Sequence, residues 1–175
     1  MGKNYFELFS LPVGFEIDVS SLATRYQDLQ RSIHPDKFTN ATDREKRLSM
    51  QQASIINEAY QSLKDPLKRA QYLLSLNGID VNSESNTVMD TAFLMQQMEL
   101  REALDDMMDA TDPLASLEVF AADINMRIKE SVAALEQHFK ENTEDSLQQA
   151  AGLSLQLQFL YRLREEAEER EEALL

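Results

Sequence analysis

Cysteine is absent from this chain of 175 residues, which removes disulfides, thiolate zinc sites and cysteine-ligated iron–sulfur clusters from its chemistry. Histidine is nearly absent: with only His34 and His138, a multi-histidine metal site is not expected, and no cofactor is. Four glycines and four prolines, set among long stretches of 3.6-residue periodicity, favour an almost wholly helical chain. No apolar run approaches the roughly 20 residues that span a bilayer. The start, MGKNYFELF, lacks the apolar core and cleavage site of a secretory signal and any Arg-rich transit segment. The protein is expected to stay where it is made, with no membrane partner.

What the sequence does have is acid, unevenly placed. Residues 1–76 carry 10 Lys and Arg against 9 Asp and Glu, a net charge of +1; residues 77–175 carry 7 against 22, a net charge of −15. So acidic a second half repels phosphate backbones, which argues against nucleic acid and for protein partners. The 43% of apolar residues suffices for one large core or two small ones.

The periodicity predicts an all-α chain in two parts. A short helix runs through Tyr5, Phe6, Leu8 and Phe9. A second starts at the N-cap Asp18 and carries Leu22, Tyr26, Leu29 and Ile33 as one stripe, leaving Arg25 and Arg31 off it and towards solvent. A third, from about Leu48 to Lys64, presents Leu48, Ile55, Ile56, Ala59 and Leu63 and closes on the second as an antiparallel hairpin. Asp65-Pro66 supplies an N-cap and an N1 proline for a fourth. The polar stretch NGIDVNSESNTVM marks a boundary, giving a first domain over 1–76, a linker over 77–89 and a second domain over 90–175. The latter reads as helices over about 90–109, 113–141 and 144–173, started by Asp112-Pro113 and by Thr143, in an antiparallel three-helix bundle. Within the last of these, LSLQLQFL (153–160) alternates apolar and polar as a strand does. Leu and Gln favour helix, and no β-branched residues or second strand candidate accompany the stretch, so it reads as helix, with apolar surface left over.

Between the second and third helices lies SIHPDKF (32–38). Pro35 bars helical dihedrals at its predecessor, so the second helix must stop near Ile33. The connection from His34 to about Arg47 exceeds the usual length of a helical hairpin loop, as functional loops do. One reading of His34-Pro35-Asp36 is a plain helix stop. Another is an acid/base pair of a small hydrolase, but only Ser32 is nearby as a nucleophile and no Gly-rich turn supplies oxyanion donors.

The surroundings decide between these. Tyr5, Phe6 and Leu8, then Tyr26-Gln27-Asp28-Leu29, His34-Pro35-Asp36-Lys37, Ile56-Asn57-Glu58-Ala59-Tyr60, Leu63, Asp65-Pro66 and Arg69 together resemble the J-domain family over about seventy residues. The resemblance implies a helical hairpin that is no enzyme itself but docks on an ATP-bound DnaK-class chaperone and stimulates its ATP hydrolysis. His34, Pro35 and Asp36 would be the triggering residues, with Lys37, Arg25 and Arg31 attracting an acidic patch on the chaperone. Two departures stand out: Ile33 replaces an aromatic residue common before the tripeptide, and Asp28 dilutes the charge of the second helix.

On the helix from Asp90, Phe93, Leu100, Leu104 and Met107 share a face, while Leu94, Met95 and Met98 lie well around from Phe93 and form a second apolar surface. Met95 is the hardest of these to bury. Glu99 and Glu102 flank it. Together with RAQYLLSLNGID, the absence of a Gly/Phe-rich linker and Leu73 after Tyr72, the stretch DTAFLMQQMELREAL is similar to the HscB-type J-proteins of iron–sulfur cluster biogenesis. That resemblance covers essentially the whole chain. It implies delivery of an IscU-type scaffold to an HscA-type chaperone, with Leu94, Met95, Met98 and Phe159 as apolar and Glu99 and Glu102 as polar scaffold contacts. A J-protein for an unrelated client is the alternative.

Overall fold

The computed structural model describes residues 3–33, 42–81 and 91–175. Among them the chain forms seven helices: α1 (Tyr5–Leu8), α2 (Val19–Ser32), α3 (Asp43–Lys64), α4 (Pro66–Leu76), α5 (Thr91–Met107), α6 (Pro113–Glu141) and α7 (Glu144–Glu172). They fall into two compact units, residues 1–73 and 74–175. The division lies inside the last turns of α4 rather than after it.

In the first unit the helix starts are set by side chains that accept from otherwise orphaned backbone donors, each worth about 1 kcal/mol. Asn4 and Glu7 form a capping box on α1. Asp18 caps α2 by accepting from Ser20 and Ser21; hydrogen bonds from those serines, side chain foremost, hold its carboxyl far below the usual carboxylate range. Thr42 and Glu45 cap α3, and the Thr42 backbone N–H and hydroxyl likewise lower the Glu45 carboxyl. Asp65 accepts from the Lys68 amide to start α4. Phe6, Phe9, Phe15, Leu22, Ile56, Ala59 and Leu63 form the core.

Two expectations for α3 need correction. The helix starts at Asp43, five residues before Leu48, so the connection is shorter than the sequence suggested. Its first turns are polar, and hydrophobic periodicity is silent there. The buried stripe is Ser49, Ile56, Ala59 and Leu63, whereas Leu48 and Ile55 are 49% and 44% exposed. At about 100° per residue they lie to one side of the stripe, at its edge.

In the second unit α6 and α7, 29 residues each, pack along their length, with α5 against both. Asp112 accepts from the Ala115 amide ahead of Pro113. The corner between α6 and α7 is only Asn142 and Thr143. Asn142 takes a left-handed conformation, φ 50°, and donates to His138 O; Thr143 exchanges hydrogen bonds with Ser146. The buried side of α7 mixes Leu147, Leu157, Leu160 and Leu163 with Ser146, Ala150, Ala151, Ser154 and Ala167. These small residues let the helix backbones approach closely, and Ser154 satisfies its hydroxyl on Ala150 O. The 153–160 stretch is helix, and of its alternating apolar residues only Leu157 is fully buried. Arg170 reaches from α7 to the end of α5, donating to Leu104 O, Asp105 and Glu166. The hydrogen bond to Asp105, the largest influence on it, raises its pKa.

Candidate functional site: two protein-binding surfaces

The α2–α3 hairpin of the first unit is fastened by polar and aromatic side chains. Tyr26 stacks on Tyr60 with ring centroids 4.0 Å apart and donates its hydroxyl to Asn57 Oδ1 at 2.8 Å, while Gln30 donates to both Asn57 and the Tyr26 hydroxyl. Tyr5 stacks on Tyr72 at 4.3 Å and donates to Glu58 at 2.9 Å. Burial first, then the bond to Glu58, pushes the Tyr5 phenol up to about 12. At the far end of α2, buried Ser49 donates its hydroxyl to the carbonyl of Ile33 at 3.0 Å. α3 thereby holds the last residue before His34.

The candidate chaperone contacts divide. His34, Pro35, Asp36 and Lys37 lie outside the described residues. Arg31 is exposed, with a loose 3.5 Å ion pair to Asp28, and such surface pairs hold a side chain weakly. Arg25 differs from the expectation that it points to solvent. It is half-buried, and its guanidinium donates to the carbonyls of Phe9 and Ser10, binding α2 to the segment after α1. Three further exposed cations, Arg44, Lys46 and Arg47, stand in the first turns of α3, where the lack of apolar periodicity hides the helix from the sequence. The run DREKR carried the signal.

The second surface lies on α5. Leu100 and Leu104 are buried, as the face shared with Phe93 and Met107 requires, whereas Leu94, Met95 and Met98 are 43%, 59% and 72% exposed. Met98, not Met95, is the most open. Glu99 and Glu102 are exposed alongside, giving an apolar centre with an acidic flank. Phe159 of α7 is half-buried and meets Phe93 edge-on, ring centroids 6.3 Å apart. Gln156 donates to Gln96 at 3.4 Å in the same seam. The ring thus supports the helix that carries the patch as well as leaving part of itself open.

Comparison with known proteins places both units. Residues 4–72 match the model described as the DnaJ domain, and residues 89–168 match the one described as the HSCB C-terminal oligomerisation domain. A co-chaperone protein HscB homolog from Shewanella loihica is 46% identical over 171 residues, covering 98% of this chain and 99% of the relative. The chain belongs to the HscB co-chaperone family. The chaperone HscB from Vibrio cholerae superposes with a TM-score of 0.89 at 42% identity, covering 99% of this chain and all, 100%, of that one. The Jac1 co-chaperone from Saccharomyces cerevisiae gives 0.76 at 26% identity, covering 97% and 94%.

HscB-family membership sets aside the hydrolase reading of His34 and Asp36: J-domain proteins act on a chaperone's ATPase and are not enzymes themselves. Among the described residues no helix is long and apolar enough to cross a membrane. The relatives from Shewanella are bacterial.

Proposed function

We propose that this J-domain co-chaperone works in the bacterial cytoplasm as an adaptor for iron–sulfur cluster assembly, delivering an IscU-type scaffold to an HscA-type, DnaK-class chaperone and stimulating that chaperone's ATP hydrolysis. The working division is a J-domain over 1–76, a linker over 77–89 and a scaffold-binding domain over 90–175. The observation that carries the reading is the open apolar patch of Leu94, Met95 and Met98 beside Glu99 and Glu102 on a helix whose opposite face buries Leu100 and Leu104 in the bundle. Large unpartnered side chains grouped on one flank, with charge at the edge, have the composition of a protein interface. Methionine suits it, being able to repack against a partner.

In the first unit, His34, Pro35, Asp36 and Lys37 make the triggering contact and Arg31 adds electrostatic attraction. Arg25 acts from behind, holding α2 in place through the carbonyls of Phe9 and Ser10. Phosphoryl chemistry belongs to the chaperone; this chain supplies binding energy that favours the hydrolysing state. Two modest interfaces on one chain suffice, because engaging one raises the effective concentration at the other.

One paired experiment tests both surfaces. His34→Gln abolishes stimulation of the chaperone's steady-state ATPase and leaves scaffold affinity unchanged. The double variant Leu94→Ser with Met95→Ser weakens scaffold binding at least tenfold by calorimetry, with an unaltered melting curve because both side chains are exposed. Undiminished stimulation by the first variant, or normal scaffold binding by the second, refutes the corresponding surface. Phe159→Ser is a poorer probe, since it also removes the ring against Phe93.

A further inference from the structure

The second unit has another unpartnered face, on α6. Ala115, Val119, Ala122 and Met126 are exposed and recur at i, i+4, i+7 and i+11, the spacing by which a helix presents one apolar stripe to another helix. Val119 is 72% exposed and Met126 53%, while the opposite side of α6 buries Leu117, Phe120, Ile124 and Ile128 in the bundle. The stripe therefore lies outside the core. Beside it, where the end of α5 meets the start of α6, a groove of about 500 Å³ is lined by Met107, Ser116 and Phe120 together with Asp112, Val119 and Asp123.

Charge identifies the occupant. From Glu102 to Lys129 the sequence contains seven Asp and Glu against two cations, Arg127 and Lys129, and Arg170 and Arg127 pair with Asp105 and Asp123, so the surface stays acidic through the remaining five. Asp112, which caps α6, and Asp123, which is paired with Arg127, border the stripe on one side, and Glu118 borders it on the other. A second copy of this chain would bring the same acids against themselves, at a cost of like charge that apolar contact must overcome. A segment whose apolar side chains are flanked by Lys and Arg meets both the floor and the rim.

We infer that the outer face of α6 and the adjoining groove form a docking site for a partner protein's amphipathic helix, apolar on one side and edged with Lys or Arg. The stripe is about 16 Å long at the helical rise, enough for three turns of such a helix. The groove adjoins Met107 at the end of α5, whereas Leu94, Met95 and Met98 stand near its start. The inference stands whether or not that patch holds a scaffold.

The test uses the full-length chain, nitrogen-15 labelled, and a fluorescein-labelled synthetic peptide of Leu and Lys patterned as an amphipathic helix of about four turns, with a Glu-for-Lys counterpart as control. The Lys peptide is expected to shift the amide resonances of residues 115–126, to bind more weakly as salt is raised, and to lose about tenfold in affinity in the double variant Val119→Ser with Met126→Ser. Met95→Ser leaves its binding unchanged, and the Glu peptide binds at least tenfold more weakly than the Lys peptide. Both substituted side chains on α6 are exposed, and a circular dichroism melt confirms an intact fold. The inference is overturned if the shifts centre on Met95 and Met98 or spread over the acidic surface, if the double variant binds as wild type does, or if sedimentation shows copies of the chain pairing through Val119 and Met126, as the oligomerisation in the family model's description would have it.

Discussion

In residues 1–73 the helices are fastened at a few points by stacked tyrosines and side-chain hydrogen bonds, whereas in residues 74–175 two helices of 29 residues lie along each other through a continuous seam of Leu, Ile, Ala and Ser. The first adds directional links to a small core rich in Phe and Leu: Tyr26, Tyr60, Asn57 and Gln30 define the α2–α3 hairpin. The second relies on a long buried seam, and the outer sides of α5 and α6 expose Leu94, Met95, Met98, Val119 and Met126. Charge follows the same division, near neutral in one and strongly acidic in the other. Loss of a single group should therefore act differently in each.

The largest effect is expected from Leu157→Ala, which empties a fully buried position in the α7 seam and should cost about 3 kcal/mol. Native-state hydrogen exchange would register this as faster opening of α6 and α7, with α2 and α3 little changed. Equal loss in both units would break the contrast drawn above. A smaller effect, about 1 kcal/mol, is expected from Tyr26→Phe, which keeps the stack on Tyr60 and deletes the hydroxyl shared by Asn57 and Gln30. Here exchange should quicken in α2 and α3 and not in α6; an unchanged α2 would show that stacking alone fixes the hairpin.

The smallest effect is one of pH. The Tyr5 phenol is raised in the folded chain to about 12, so the stability it contributes is complete below its unfolded value of about 10 and is lost as pH climbs towards the folded value. Protection in the first unit should decline across that window, and Tyr5→Phe should remove that component of the decline. An identical decline in the variant would assign it to other groups.

Much of this architecture could be read from the chain. Asp18, Asp65 before Pro66, Asp112 before Pro113 and Thr143 are caps whose chemistry is local, so their positions transfer directly into structure. The open flank of α5 was legible too, because Phe93, Leu100 and Leu104 already fill one face and leave Leu94, Met95 and Met98 another. The start of α3 was not, since Asp43 to Arg47 carries no apolar period and only the Thr42–Glu45 box announces it. Nor could the sequence show Arg25 turning back onto Phe9 and Ser10, or Ser49 reaching Ile33. Those bonds join residues far apart in sequence and exist only once the hairpin has closed. The stripe on the outside of α6 was hidden by its own regularity, because helical spacing alone does not say which of two apolar faces meets the core.

The corner at Asn142 and Thr143 has one more consequence. Ser131 and Ser154, both buried, lie equally far along the chain from it, so the brevity of the joint decides which levels of α6 and α7 stand opposite each other. A longer joint would relax that constraint and leave the facing levels to side-chain packing alone. The two residues at this hinge thus act as a ruler for the bundle.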